Sequence, residues 1–459
     1  MNLKYEKKDI FTSLEKEDLK RCEEYAKEYI NFLSLAKTEY LCVELALKAL
    51  EKDGFVEIST KKNLKLGDKI YFVNKEKSIF VAVIGKEDLI NGVNMVGAHI
   101  DSPRIDLKPM PLYETNGIAM LKTQYYGGIK KYQWLSIPLS MYGVIYTQEG
   151  KKIDISIGDN KDDPCFTITD VLPHMAKDQL KANASEFIDP EKMGILFGST
   201  KTSEKGDTVK ENILKILNKK YGIKEIDFAR SEISFVPSNN ARFVGIDKSM
   251  IGGYGQDDRV CAYATIKALI DVSNQKDLQK TCIGIIVDKE EVGSIGNTSM
   301  STLAFDMFIE KILEKTNKSK NDLLEVYYNS KMLSADVASG IDPNYEEVSD
   351  IQNSNMIGCG VALEKYSGSG GKSGGSDANA KYVSEVMNIF ENNNIFFQMG
   401  TLGKIGKGGG GTIAYILAQK GVDVIDCGTP VISMHSPFEI TSKYDVYMTY
   451  KAYKVFYKK

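Results

Sequence analysis

Residues 281–294 read TCIGIIVDKEEVGS: the six apolar or small residues from Cys282 to Val287 run directly into Asp288, Lys289, Glu290 and Glu291. A short apolar run closed abruptly by charge is the pattern of a buried strand whose far end meets a polar site. The pattern recurs. NMVGAHIDSP (94–103) reaches His99 and Asp101, KMLSADVASG (331–340) reaches Asp336, and VIDCGTPVISMHSPFE (424–439) leads through VIS to His435. Helix-like stretches alternate with these strands: DDRVCAYATIKALIDVSNQ (257–275), FDMFIEKILEKTN (305–317) and NAKYVSEVMNIFENN (379–393). Strand alternating with helix predicts an α/β domain with both sheet faces covered. Open sheets of this kind bind ligands beyond the carboxyl ends of their strands, so the acidic strand ends are expected to converge there.

Working outward, residues 9–52 carry apolar residues at helical spacing and predict two amphipathic helices, followed by the strands KIYFVN, SIFVAVIG and NMVGAHID. Between about residue 106 and residue 237 the texture changes to alternating runs such as GIAMLKTQYYGG, LSIPLSMYGVIYT, KKIDISIGD and CFTITDVL, then the helix-prone KTSEKGDTVKENILKILNKKYG. The expected architecture is therefore a mixed-sheet α/β domain of residues 1–105 and 238–459, interrupted by a mainly β insert, 106–237.

The 459 residues carry 42% hydrophobic and 26% charged side chains, the usage of a folded globular protein. With 59 Lys+Arg against 62 Asp+Glu, net charge −3, the chain lacks the basic excess that binding along nucleic acid needs. No apolar run approaches the 18 residues of a membrane span, and the charged start offers no signal-peptide core, so a cytoplasmic protein is expected. Seven scattered cysteines without a CxxC pair read as reduced, mostly buried thiols.

Only three histidines occur, His99, His174 and His435. For a lone HxD, a satisfied histidine at a strand end is the commoner case, and the Asp257–Asp258 pair before a helix is explained by capping and dipole alone. Taken together, two imidazoles and several carboxylates are the nitrogen and oxygen ligands that suit Zn²⁺, Mn²⁺ or Co²⁺ without sulfur. Adjacent Glu290 and Glu291 would point opposite ways in extended chain, one to ligate and one to face substrate. That division suits metal-assisted hydrolysis, in which a carboxylate outside the metal shell takes a proton from water.

GAHIDSP, GYGQDDRVCAY, VDKEEVGS, SADVASG and ISMHSPFE, in this order across essentially the whole chain, resemble the metal-binding motifs of the aspartyl aminopeptidase family, within the dizinc exopeptidases. The resemblance implies two divalent ions per subunit, zinc first, with Asp257 bridging them. Glu291 and His435 would complete one site, and His99 and Asp336 the other. It further implies that Glu290 is the general base and that Asp101 supports His99. The insert would serve dimerisation and substrate gating, with His174 reaching into a neighbouring subunit's site within a dodecamer. Substrates would be peptides with a free N-terminus, Asp or Glu at that position among them. A dizinc enzyme of neutral preference, a deacylase and a non-catalytic metal-binding scaffold remain alternatives.

Two glycine-rich stretches, YSGSGGKSGGSDANA (366–380) and LGKIGKGGGGTIAY (402–415), stand apart. Gly371-Lys372-Ser373 resembles the end of a phosphate-binding loop, but Tyr366 stands where that motif requires glycine. In the family this region lines the substrate pocket, which makes Lys372 and Thr412 the candidate substrate contacts.

Overall fold

The run Cys282–Val287 forms a strand buried along its whole length, as do Ser78–Val83 and Asn94–His99. They belong to a nine-stranded sheet with the order Val56–Glu57, Lys69–Asn74, Ser78–Val83, Cys282–Val287, Asn94–His99, Lys331–Ser334, Asp423–Gly428, Val361–Glu364, Phe397–Gly400. Its four central strands, from Cys282–Val287 to Asp423–Gly428, are mutually parallel. Their carboxyl ends therefore share one edge. In this computed structural model residues 3–160, 162–202, 208–275 and 277–459 are described.

Both faces of the sheet are covered, as fully apolar strands require. One side packs Lys16–Leu35, Gln256–Ser273, Ala380–Asn392 and Lys443–Tyr457 through Tyr29, Val260, Leu269, Phe390 and Tyr453. The other packs Ala304–Lys315, Leu323–Asn329 and Ala414–Ala418 through Phe305, Phe308, Ile309 and Leu417. With a five-stranded sheet that includes Met250–Gly253 and Glu439–Ser442, these elements make up the first of two compact units, Met1–Asp101, Ala241–Met434 and Phe438–Lys459. Six of the seven cysteines are buried and all seven are unpaired. Among the described residues no helix is long and apolar enough to cross a membrane.

The second unit is Ser102–Asn240 with His435–Pro437. It is built on a six-stranded antiparallel sheet, in the order Lys152–Ile157, Leu139–Tyr146, Ser231–Pro237, Arg104–Thr115, Ile118–Tyr126, Ile195–Gly198. The helix expected within 201–222 runs Val209–Tyr221, opened by a Thr208/Glu211 capping box and closed by left-handed Gly222. Residues 203–207 of that stretch lie outside the described residues. CFTITDVL is not a strand: Phe166 bridges to Leu139 and Ile168 to Ile195, so the segment touches two strands and lies along neither.

In the first unit a polar row crosses the sheet, where Gly97, Ser334, Asp426 and Glu364 are paired in register. Burial raises the Glu364 carboxyl to about 7, the charge of Asp426 adds to the rise, and a hydrogen bond from Asn355 Nδ2, at 2.9 Å, opposes it. Folded chain thus keeps a proton that unfolded chain loses above its ordinary value of 4.5. This contribution to stability is complete below that value and is lost as pH rises to 7. Between pH 5 and pH 8 the melting temperature of wild type should fall further than that of Glu364→Gln. Parallel profiles in differential scanning fluorimetry would refute this assignment.

Candidate active site

His99 is the last residue of its strand, and its ring is held from both sides. Nδ1 faces Asp101, 3.1 Å from the main-chain oxygen and 3.3 Å from Oδ1. Turning Nδ1 to that partner leaves Nε2 facing the other carboxylates. Nε2 lies 3.1 Å from Asp257 Oδ1, 3.8 Å from Asp336 Oδ1 and 3.9 Å from Glu290 Oε2. The His99 main-chain N–H donates to Asp258 Oδ2 at 3.3 Å.

Glu290 and Glu291 are not extended. Lys289 takes a left-handed conformation (φ 68°), and Glu290–Val292 form a single 3-10 turn. The turn is held by Asp101, whose Oδ1 accepts the Glu290 N–H at 3.1 Å and whose Oδ2 accepts the Glu291 N–H at 3.2 Å. Consecutive residues of a 3-10 turn point about a third of a turn apart rather than to opposite sides, and both carboxylates reach the surroundings of His99. Asp101 thus serves both the imidazole and the glutamate turn. Asp288, at the head of the same acidic run, is bonded instead by Thr298 Oγ1 at 2.6 Å, and burial beside Glu39 and Asp101 raises it to about 7.

Asp257 and Asp258 sit at the start of Gln256–Ser273 in non-helical conformations, after left-handed Gly255. Two residues that the sequence reading did not single out secure them. Glu439 Oε2 accepts the Asp257 N–H at 3.2 Å. Arg259, 1% exposed, reaches back with Nε to Ile100 O (3.2 Å) and with Nη2 to Lys37 O (3.4 Å). The helix that carries Asp257 therefore grips the segment that carries His99 and Asp101. The signal was present in DDR before an apolar helix, because a cation there must find acceptors if it is buried. Asp336 follows the strand Lys331–Ser334, and its main chain passes so close to Gly428 that a Cβ there would lie 1.6 Å from Asp336 O. Glycine is required at that crossing.

Two groups of donors result, His99 with Asp257 and Glu291, and His99 with Glu290 and Asp336, each with its donor atoms within 4.8 Å of one another. Burial, reinforced by neighbouring carboxylates, holds Asp336 well above the ordinary carboxyl range, and burial does the same to Asp258. For His99 burial opposes the charge, but the hydrogen bonds to Asp101 and Asp257 and the charges of Asp336 and Glu290 outweigh it and raise the imidazole. Such a crowd of buried carboxylates around one imidazole is what a divalent cation relieves. One nitrogen donor and several oxygen donors, without sulfur, fit zinc.

The remaining predicted residues are placed differently. His435 clusters with the second unit, left-handed (φ 65°), with Nδ1 2.8 Å from Gly128 O. His174 lies exposed in the turn Pro173–Met175 of that unit. In the first unit Lys372 pairs with Asp377 at 2.7 Å and lies over the Tyr366 ring. The Thr412 hydroxyl donates to Asp426 Oδ1 at 2.6 Å and accepts the Ala414 N–H at 3.2 Å, so only its main chain is left to contact a ligand.

Comparison with known proteins identifies the family. The family described as aminopeptidase I zinc metalloprotease (M18) matches residues 32–457. A probable M18 family aminopeptidase 1 of Borrelia garinii subsp. bavariensis is 46% identical over 457 residues, spanning 98% of this chain and 99% of that protein. The crystal structure of an M18-family aminopeptidase from Thermotoga maritima superposes with a TM-score of 0.95 at 43% identity, covering 99% of this chain and 100% of that one. The yeast mApe1 dodecamer shares the fold at 22% identity, with a TM-score of 0.76 over 94% of this chain and 96% of its own. With the family matched across nearly the whole length, the chain belongs to the M18 zinc metalloproteases and is a metal-dependent aminopeptidase that removes N-terminal residues from peptides.

Proposed function

We propose that the donor groups, apart from Glu290, hold two zinc ions per chain, with Glu290 as the general base. The observation that carries this reading is the convergence of His99 Nε2 with Asp257, Glu290 and Asp336, each within 3.9 Å. Asp257 would bridge, with Glu291 at one site and His99 and Asp336 at the other. Ions bound there would polarise the peptide carbonyl and bring the pKa of a water towards about 7. Glu290 would take a proton from the attacking water and return it to the amine nitrogen as the C–N bond breaks. Asp101 orients both His99 and the backbone of Glu290, so it acts by positioning.

The N-terminal residue is selected, in this reading, beside the glycine-rich loops. A preference for Asp or Glu needs a cation available to the substrate carboxylate. Lys372 is the candidate, and its pairing with Asp377 favours a neutral preference instead, because an acidic substrate has to displace Asp377. A panel of aminoacyl substrates with N-terminal Asp, Glu, Leu, Met or Lys tests this. Leu and Met should be released faster than Asp and Glu; the opposite order restores the acidic preference.

We also infer a homo-oligomer in which His174 of one chain serves another. The apolar surroundings of His174 support it: Val171, Leu172, Met175 and Leu180 are 40–73% exposed, an unusual cluster for a surface facing water. The dodecamer solved for the yeast relative supports it as well.

A further inference from the structure

The two glycine-rich stretches meet backbone to backbone. The Gly368 N–H donates to Gly410 O at 2.7 Å. A Cβ on Gly409 would lie 2.5 Å from Gly368 O, and one on Gly411 would lie 2.6 Å from Gly374 O. Side chains at these positions would force the strands of the contact apart, so glycine here serves mutual approach. The pair of loops behaves as one piece, and the piece needs a fixed point. The Lys372–Asp377 ion pair and the Ser369–Ser373 bridge both lie inside the first loop and tie it to nothing else.

Lys404 ties the second loop at its outer end to Val348 O and Glu347 O, and the loop's inner end meets a buried carboxylate. Asp426, 5% exposed, lies in the strand Asp423–Gly428 and is paired in register with Ser334. Thr412, at the end of the second loop, donates to its Oδ1 at 2.6 Å. The hydroxyls of Ser334 and of Ser367, at the start of the first loop, lie near the same carboxylate and favour its charged form. Ser334 also reaches Thr412 Oγ1 at 3.4 Å and stands two residues before Asp336. Burial raises the Asp426 carboxyl above its ordinary value, and the nearby hydroxyls of Thr412, Ser334 and Ser367 act against that rise.

We infer that Asp426 is a positioning residue for substrate binding: through Thr412, and through the Gly368–Gly410 contact that joins the loops, it ties both glycine-rich stretches to the strand paired with the one that leads through Ser334 to Asp336. The inference rests on the substrate-contact reading of the loops given above. Asp426 touches neither substrate nor the donor groups. It fixes the distance between the loops and the reacting centre, and its loss should appear in KM before kcat.

The test combines amide hydrogen exchange with steady-state kinetics on the zinc-loaded full chain, using a Leu aminoacyl substrate. In Asp426→Ala, residues 366–377 and 402–411 should lose protection together, with KM rising about 10-fold or more and kcat changing by less than about 3-fold at unchanged zinc content. Asp426→Asn, which keeps an acceptor and can donate to the serine oxygens, should restore most of both. Should Asp426→Ala fail to fold, Thr412→Val removes the bond to Asp426 Oδ1 and, because the loops are joined at Gly368 and Gly410, should loosen both together. Unchanged protection in both loops, or loosened loops with unchanged KM, overturns the inference. Lys372→Ala, assayed alongside, scores the contact reading separately: an unchanged substrate ranking removes Lys372 from the pocket while the exchange data still decide the anchor.

Discussion

Replacing Glu290 by Gln lowers kcat by about 10²- to 10⁴-fold, the range of a lost general base, and leaves zinc content and melting temperature close to wild type. The amide keeps the shape of the side chain, and the turn that presents it is held through main-chain N–H groups, which the substitution does not touch. What disappears is the ability to accept a proton. Metal analysis with steady-state kinetics checks it; a variant within a few-fold of wild-type kcat removes Glu290 from the role of base, and one that loses zinc places it among the ligands.

The second large effect is expected at Asp101. Its two carboxylate oxygens receive the Glu290 and Glu291 N–H groups, and Oδ1 also faces His99 Nδ1 at 3.3 Å. Asp101→Asn replaces one acceptor by an NH₂ group, so at least one of these donors meets another donor inside a fully buried site. Removing the carboxylate behind a ligating histidine costs about 10- to 100-fold in metal affinity or activity. Displacement of the glutamate turn adds to that, and kcat/KM should fall beyond about 10²-fold, with weakened zinc retention in a chelator competition assay. Full zinc retention with kcat/KM near wild type would contradict the double role.

The reacting centre was legible because it is built from strand ends. Apolar runs that stop at His99, at Asp288 to Glu291 and at Asp336 belong to mutually parallel strands, so their ends meet at one edge once the strands pair. The scarcity of histidine sharpened the reading further. Residues whose work depends on distant partners were not legible. Arg259 needs the main chain of Ile100 and Lys37, and Glu439 needs the Asp257 N–H. Asp426 reads in sequence as one more strand-end acid, and only the three-dimensional meeting of Thr412, Ser334 and Ser367 gives it a role. The shape of the Glu290 turn likewise depends on Asp101, far away in the chain, and on left-handed Lys289, which nothing local announces. Composition and periodicity report what a segment buries, and they are silent on which distant backbone group it will meet.

The central claim is a dinuclear centre on one imidazole and paired carboxylate groups, and zinc titration of chelator-stripped enzyme tests it most directly. With peptide hydrolysis followed at each addition, the rate should rise until two zinc ions per chain are bound and then stay level. Saturation at one ion per chain, or full activity in the stripped enzyme, would contradict it.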